Sequence, residues 1–295
     1  MQANVHTQEN SMKATRIPTI TQQQVAAFIK PRPHDSHKGD FGSVAIIGGG
    51  NGMTGAALLA GRAALKSGAG CVHVGLLADH APGVDMAQPE LMLHSATVAL
   101  QLRKLDVLAI GCGMGHDLAA QKILHDALKL EAALVLDADA LNILAVRPDL
   151  RSQLLARKQP GVITPHPGEA ARLLGISTAE VQADRPAAAQ ELARRSGCSV
   201  VLKGAGSLCV TRDGKTWLNQ TGNPGMSGPG MGDVLSGMIA AFIAQGLSAD
   251  EAMLLGVHLH GAAGDALAQQ QASLGMTASE VTEWSRWLLN QWIKK

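Results

Sequence analysis

The residues most suited to chemistry form a glycine-rich segment that ends in a carboxylate. Residues 222–233 (GNPGMSGPGMGD) run directly into an apolar stretch that is typical of a helix. The first amides of a helix lack internal partners and can bind an anion. Asp233 would repel a resting phosphate there, but it could take a proton from a hydroxyl group beside one. The segment favours phosphoryl transfer to an alcohol; the alternative is that Asp233 only caps the helix.

Two other glycine-rich loops follow predicted strands. Residues 48–55 (GGGNGMTG) contain a GxGxxG pattern, with Asp79 after the next strand and Lys38 shortly before the loop. This is a weak signal for dinucleotide binding, and the alternative is a structural turn. Residues 203–207 (KGAGS) join two predicted strands, and Lys203 could meet phosphate oxygens while the small residues admit a ligand. The alternative there is an ordinary hairpin loop.

Carboxylates and one histidine also follow predicted strands. Asp137 and Asp139 could hold Mg²⁺ through water, because magnesium prefers oxygen ligands and keeps part of its hydration shell. The alternative is that Asp139 caps the next helix, which leaves Asp137 as the better functional candidate. His166 lies between two prolines at a strand-to-helix junction, which predicts a rigidly presented ring. His258 and His260 are two residues apart on a predicted helix and do not form a metal-binding pair.

The composition narrows the classes of partner and compartment. The chain has 295 residues and a net charge of +1, so it lacks the basic excess of proteins that bind nucleic acids or membrane surfaces. Its four cysteines form no CxxC pair and are expected to be free thiols in a reducing compartment. No signal sequence and no apolar run of about 18 residues appears, which predicts a cytoplasmic protein. No Walker motif is present, which disfavours a P-loop ATPase.

The pattern of elements predicts an α/β fold. Short apolar runs alternate with Ala- and Leu-rich helical segments, which indicates a mostly parallel central sheet flanked by helices on both faces. Around Asp213 and Gly214 the pattern changes to an antiparallel edge hairpin, and three helices then close the chain. We expect a polar N-terminal tail over residues 1–19 and a single domain over residues 20–295. The predicted strands are Val44–Ile47, Val72–Leu76, Val107–Ile110, Leu134–Leu136, Val162–Thr164, Val200–Lys203, Leu208–Thr211 and Lys215–Leu218.

These segments together resemble the ADP- or ATP-dependent NAD(P)H-hydrate dehydratases, which belong to the ribokinase-like superfamily and contain its carbohydrate kinase-related domain. The resemblance covers roughly residues 20–290 and follows the family's order of motifs. The motifs that carry it are KGDFGS from Lys38, GGGNGMTGA from Gly48, DADALN from Asp137, TPHPGE from Thr164, KG from Lys203, and the segment 222–233.

The resemblance implies repair of hydrated NADH and NADPH by phosphorylation of the hydrate hydroxyl and elimination of phosphate. Bacterial members use ADP, release AMP and phosphate, and act on the S epimer. The resemblance also implies Mg²⁺ as a cofactor that bridges the nucleotide phosphates, with no protein ligand assigned, and a homotetramer. By position, Asp233 would be the base, and Gly230 and Gly232 would form the anion hole. The remaining implied contacts are Val44, Gly113, His166 and Asp233 for the hydrate, and Lys203, Gly204, Ala205, Gly206, Ser207 and Gly232 for the adenine nucleotide.

Two departures from the family pattern affect these expectations. Pro229 replaces a small residue, so the loop offers one amide fewer, and too few residues precede the motifs for the epimerase domain of the fused relatives. Three alternatives remain open. One is a kinase of the same superfamily that acts on a hydroxymethyl-pyrimidine, thiazole or pyridoxal-like alcohol. The others are a Rossmann-type oxidoreductase using Gly50 to Gly55 and a non-catalytic dinucleotide sensor, against which an intact Asp233 argues.

Overall fold

A nine-stranded sheet forms the centre of the molecule in a computed structural model that describes residues 17–293. The strand order is β3-β2-β1-β4-β5-β6-β7-β8-β9. All neighbours from β3 to β7 are parallel, and β8 runs antiparallel to both of its neighbours, β7 and β9. The expected α/β fold with an antiparallel edge is confirmed. The strands are β1 Ser43–Gly48, β2 Cys71–Leu76, β3 Met92–Ser95, β4 Val107–Ile110, β5 Ala133–Leu136, β6 Gly161–Ile163, β7 Ser199–Leu202, β8 Leu208–Val210 and β9 Thr216–Leu218.

Helices cover both faces of the sheet, which is why the central strands are continuously apolar and buried. The helices are α1 Gln22–Ala26, α2 Thr54–Lys66, α3 Ala96–Ala99, α4 Leu118–Ala127, α5 Ala138–Val146, α6 Pro148–Leu155, α7 Pro167–Leu174, α8 Thr178–Ala183, α9 Arg185–Ser196, α10 Met231–Ala244, α11 Ala249–Gln270 and α12 Ala278–Trp292. One apolar core lies between the sheet and α2, α10, α11 and α12, and a second lies under α3 to α9. None of the described helices has both the length and the apolar character needed to cross a bilayer.

The structure differs from the predicted elements at several short segments. Strand β3 escaped prediction because its residues are exposed or half-buried and lack an apolar run. The short helices α1, α3, α6 and α8 were also not predicted. Residues 1–16 of the expected polar tail lie outside the described residues. Before residue 20 the chain already pairs with the sheet edge, since Leu218 N donates to Pro18 O at 2.8 Å and Thr19 bridges Leu218.

The start of α10 differs from the prediction in a way that matters for the site. The apolar pattern predicts a helix over Asp233–Gln245, but the helix begins at Met231, two residues earlier, and its N-cap is Gly230. Gly230 has a φ of +85°, a left-handed conformation that a side chain would disfavour. Asp233 is therefore the third residue of the helix, not the last residue of the loop and not its cap.

Candidate active site

The loops that follow β1, β4 and β5 are packed so closely that glycine is required at their contacts. A Cβ on Gly48 would lie 2.2 Å from the carbonyl oxygen of Cys112, and one on Gly111 would lie 1.8 Å from that of Asp137. Gly50 N also donates to Gly113 O at 2.7 Å, so the predicted loop of residues 48–55 is joined directly to the loop of residues 111–115, which is also rich in glycine. These contacts place the functional candidates at one edge of the sheet, outside the carboxyl ends of the strands.

A buried ion pair lies beneath this edge. Lys203 Nζ donates to Asp137 Oδ1 at 2.8 Å and lies 4.0 Å from Glu169 Oε2. Burial alone would raise the pKa of Asp137, but the charge and hydrogen bond of Lys203, with a further hydrogen bond from Ser236, hold that pKa below its usual value. Burial would lower the pKa of Lys203, but the negative charge of Asp137 raises it. Both groups are therefore charged at neutral pH.

The oxygens of Asp137 accept hydrogen bonds within the protein. Oδ1 also accepts from Ala138 N at 2.9 Å, and Oδ2 accepts from Ser236 Oγ at 2.8 Å. Asp137, and not Asp139, occupies the N-cap position of α5. The next residue, Ala138, has a φ of +46°, which is strained for a residue with a side chain. Among residues 17–293, no group of three His, Cys, Asp or Glu residues could hold a metal ion.

The first turn of α10 lies directly on this ion pair. A Cβ on Gly232 would lie 3.2 Å from Lys203 Nζ and 3.5 Å from Asp137 Oδ2. The absence of a side chain at Gly232 therefore lets the positive end of the helix come close to the Lys203 ammonium. The hydrogen bond from Ser236, one turn further along α10, fixes this approach. Helix amides and a buried cation thus converge on the same space, which suits a phosphate group.

Asp233 extends from this turn into a largely buried environment. Burial is the main reason that the pKa of Asp233 is raised to about 6. A hydrogen bond from the Cys112 thiol and the positive charge of Lys203 oppose this rise, whereas the negative charges of Asp137 and Asp139 add to it. A carboxylate with a raised pKa accepts protons more readily than an exposed aspartate does. The geometry therefore provides a base beside an anion-binding site.

His166 caps α7 with its ring. Nδ1 accepts from the Gly168 amide at 2.9 Å, which leaves the proton on Nε2, and Nε2 lies 3.3 Å from Glu169 Oε1. Burial lowers the pKa of His166, and the charges of Lys203 and Arg172 lower it further, so the ring is neutral at pH 7. Lys203 N donates to Pro165 O at 2.9 Å, which brings the His166 junction next to the ion pair.

The loop of residues 203–207 is held by an arginine that the sequence did not single out. Arg185 donates to Ala205 O at 2.7 Å and to the carbonyls of Leu202 and Lys203. Ser207 Oγ donates to Gly204 O at 3.1 Å, and Gly206 has a φ of +66°. The backbone of the predicted nucleotide loop is thus fixed from outside, beside α10.

Two predicted residues lie elsewhere than a ligand-binding role would require. These are Val44, which the resemblance assigns to the hydrate, and Asp79, which accompanies the GxGxxG pattern. Val44 is fully buried at the beginning of β1, four residues before Gly48, which corresponds to about 13 Å along a strand. Asp79 binds the loop itself, because Asn51 Nδ2 donates to Asp79 Oδ2 at 2.8 Å. The structure does bring together the loops of Gly113, His166, Lys203 and Asp233.

Four further residues support the site and were missed by sequence reasoning. Ser236 could have been found, since it lies three residues after Asp233 and therefore on the same helical face. Cys112 belongs to a quoted loop but was interpreted as a buried thiol. Arg185 and Asp265 carry no local signal. Asp265 on α11 accepts from Gly222 N at 2.9 Å and from Asn223 Nδ2 at 3.0 Å, so it fixes the start of the glycine-rich segment.

Comparison with known proteins relates the chain to one family. The family model described as NAD(P)H-hydrate dehydratase matches residues 44–286. The ADP-dependent (S)-NAD(P)H-hydrate dehydratase of Neisseria meningitidis is 42% identical over 267 residues, which are 89% of this chain and 90% of that protein. The bifunctional NAD(P)H-hydrate repair enzyme Nnr of Escherichia coli is 42% identical over 270 residues. That match covers 90% of this chain and 51% of the E. coli protein, so the chain spans about half the length of this relative.

A solved structure has the same fold over almost the whole chain. The ADP/ATP-dependent NAD(P)H-hydrate dehydratase of Bacillus subtilis, co-crystallised with ATP and Mg²⁺, superposes with a TM-score of 0.83 at 29% identity. The superposition covers 95% of this chain and 100% of the other. Hydroxyethylthiazole kinase of Pyrococcus horikoshii has a TM-score of 0.58 at 16% identity, a likeness of fold alone.

Proposed function

The chain belongs to the NAD(P)H-hydrate dehydratase family, and on that premise we propose that it is a lyase that repairs hydrated NADH and NADPH with ADP. The observation that carries the proposal is the position of Asp233. Its carboxylate has a raised pKa and extends from a helix whose first turn lies on the buried Lys203 ammonium. A proton acceptor and an anion site therefore adjoin, as transfer of a phosphoryl group to a hydroxyl requires.

The proposed reaction has two steps. Asp233 takes the proton of the hydrate hydroxyl, and the hydroxyl oxygen attacks the terminal phosphorus of ADP while the bond to AMP breaks. The phosphorylated hydrate then loses phosphate and a proton from the neighbouring carbon, which restores the nicotinamide double bond. The products are NADH or NADPH, AMP and phosphate. The family's S epimer is the proposed substrate, and the amides at Gly230 and Gly232 would stabilise the charge on the moving group.

We propose that the hydrate and the nucleotide approach Asp233 from different loops. Gly113 and His166 border the side proposed for the hydrate, where the neutral imidazole can donate a hydrogen bond from Nε2 to the carbonyl oxygen of the nicotinamide amide. Residues 203–207 and Gly232 border the side proposed for the adenine nucleotide. Pro229 removes one amide from the loop, but the amides of Gly230, Met231 and Gly232 remain at the helix start.

We propose that Mg²⁺ binds as a complex with the nucleotide and not at a site formed by protein ligands alone. Asp137 already accepts three hydrogen bonds within the protein, so nucleotide phosphates and water would supply most of the ligands of Mg²⁺. When bound, the ion would neutralise phosphate charge. We also retain as proposals the use of ADP or ATP as co-substrate, a homotetramer and a cytoplasmic location.

The decisive experiment is to incubate the protein with hydrated NADH and either ADP or ATP and to follow the absorbance of the restored dihydronicotinamide. We expect recovery that depends on the nucleotide and forms one AMP per NADH when ADP is supplied. Recovery without nucleotide would reject the phosphorylation route. A protein that phosphorylates a hydroxymethyl-pyrimidine or thiazole alcohol, but leaves the hydrate unchanged, would instead be the small-molecule kinase.

A further inference from the structure

A series of polar contacts follows the rim outside β4 and β5 and has no role in the proposed reaction. Asp139 accepts from the Gly115 amide at 2.9 Å and lies 3.4 Å from His116 Nε2. Asn142, one turn further along α5, has its Nδ2 3.5 Å from Asp139 Oδ1. Asn142 Oδ1 in turn accepts from Arg172 Nε at 2.8 Å. The contacts thus connect the Gly113 loop with α7, the helix that carries the proposed hydrate contact at its start.

Arg172 ends this series as an exposed guanidinium group. Asn142 holds its Nε, and within residues 17–293 Arg172 forms no ion pair with a carboxylate. Its Nη1 lies 3.8 Å from the position that a Cβ on Gly168 would take, so the group extends over the first turn of α7, beside the His166 ring. The terminal nitrogens therefore face the rim of the crevice with their hydrogen-bonding capacity available.

The basic groups Lys203 and His166 offer no free positive charge at this rim, whereas Arg151, Arg194 and Arg195 line a cavity together with Arg172. Lys203 is neutralised by Asp137, and the lowered pKa of His166 leaves that ring uncharged at pH 7. A hydrated dinucleotide carries a diphosphate, and the NADPH form adds a 2′-phosphate. A guanidinium fixed through Nε offers two parallel N–H groups, an arrangement that matches phosphate oxygens.

We propose that Arg172, positioned by Asn142, binds a phosphate group of the hydrated dinucleotide. The inference rests on the proposed function, because that function identifies the phosphate-bearing ligand that lies between the Gly113 loop and His166. The contact would serve binding and not the chemical step, since Arg172 lies on the second turn of α7, away from Asp233. The diphosphate and the 2′-phosphate share this chemistry, and the experiment below separates them.

Binding of the products NADH and NADPH tests the proposal without catalysis. We would titrate each into the wild-type protein, Arg172→Gln and Arg286→Gln, following the fluorescence of the dihydronicotinamide. Arg286 is an exposed arginine of α12, outside the cavity that Arg172 lines, and serves as the charge-matched control. Loss of a charge-assisted contact predicts binding weaker by about tenfold to a hundredfold in Arg172→Gln, with no change in the control. Asn142→Ala should weaken binding in the same pattern by a smaller factor.

The pattern of loss identifies the phosphate. Equal weakening for both dinucleotides indicates the diphosphate, and weakening for NADPH alone indicates the 2′-phosphate; either result supports the proposal. Unchanged affinities for both, or an equal loss of ADP affinity, would overturn it. A wild-type protein that binds NADPH but fails to dehydrate the hydrate with ADP or ATP contradicts only the proposed function. A wild-type protein that binds neither dinucleotide contradicts both.

Discussion

At the scale of single residues, Asp233 combines two properties that rarely occur together on a helix. It lies in the first turn, where a carboxylate is favoured by the helix dipole, yet burial raises its pKa to about 6. Lys203 and Asp137 form an ion pair nearby. The pKa of Asp233 is raised by the negative charges of Asp137 and Asp139, and it is lowered by the Cys112 hydrogen bond and the positive charge of Lys203. The balance keeps the carboxylate ionised at neutral pH and still basic.

The proposed base gives a direct test. Asp233→Asn should lower kcat by about a hundredfold to ten-thousandfold, because an amide cannot take the hydroxyl proton. The affinity for ADP should change little, since the amides and the ammonium of Lys203 remain. Steady-state assays and nucleotide titration measure both quantities, with the exposed Asp35→Asn as control. A near-normal rate in Asp233→Asn would show that the base has been assigned wrongly.

The dependence of rate on pH reports the same group. A base must be ionised to act, so kcat/KM should fall about tenfold for each pH unit below about 6 and level off above it. The Cys112 thiol donates to the carboxylate and thereby lowers its pKa, so Cys112→Ala should move the acid limb to higher pH. Cys112→Ser keeps a donor and should leave the limb in place. If kcat/KM falls at the same pH in the wild type, Cys112→Ala and Cys112→Ser, the Cys112 thiol does not set the pKa of the base.

At the scale of elements, the glycine-rich segment depends on α11 as a support. Asp265 holds the Gly222 amide and the Asn223 side chain, and Thr221 Oγ1 donates to His258 O at 3.0 Å. A Cβ on Gly261 would lie 2.3 Å from Thr221 Oγ1, so the segment and the helix are in direct contact. The segment therefore approaches α10 from a fixed direction.

Removal of Asp265 should loosen this support. Asp265→Ala removes the acceptor of two hydrogen bonds whose donors are exposed or half-buried, which predicts a loss of about 0.5–1.5 kcal/mol in the free energy of unfolding. We expect kcat to fall about tenfold with a smaller change in the KM for ADP, because misplacement of the segment affects the reacting geometry. Urea unfolding and kinetics measure these changes, and Gln269→Ala, on an exposed face of the same helix, is the control. An unchanged kcat would exclude a positioning role for Asp265.

The elements also show what sequence patterns can and cannot predict. Strands β4 to β7 were predicted within about one residue because they are continuous apolar runs, and the motifs that begin at Asp137, Thr164 and Lys203 each follow one of them. The start of α10 was misplaced because Gly230 and Gly232 look like loop residues, although one caps the helix and the other lies inside it. Contacts such as that of Arg185 with Ala205 join residues that are distant in sequence, and no local pattern encodes them.

At the scale of the whole molecule, one sheet edge brings together loops from positions 48 to 233 of the chain. The parallel order makes this possible, since the carboxyl ends of neighbouring parallel strands lie at the same edge. The sequence predicted this convergence from the alternation of strands and helices. It did not predict the ion pair between Lys203 and Asp137, which depends on the β5, β6, β7 order of the sheet.

The burial of Asp233 should reduce the free energy of unfolding of the whole protein at neutral pH. The folded-state pKa of Asp233, about 6, exceeds the unfolded value of 3.8, so the folded protein binds more protons between these pH values. Stability from this group is fully present below pH 3.8 and is lost as the pH rises through about 6. Ionised Asp233 therefore costs about 2–3 kcal/mol above that pH.

Asp233→Asn should remove this cost. We expect the variant to exceed the wild type in free energy of unfolding by about 2–3 kcal/mol at pH 7.5, and the difference should shrink towards zero near pH 4. Urea unfolding of both proteins across this range measures the difference. His260, whose pKa burial lowers to about 4, destabilises both proteins alike as the pH falls and cancels in the comparison. A variant that is less stable than the wild type at pH 7.5 would mean that Asp233 is not held ionised in an unfavourable environment.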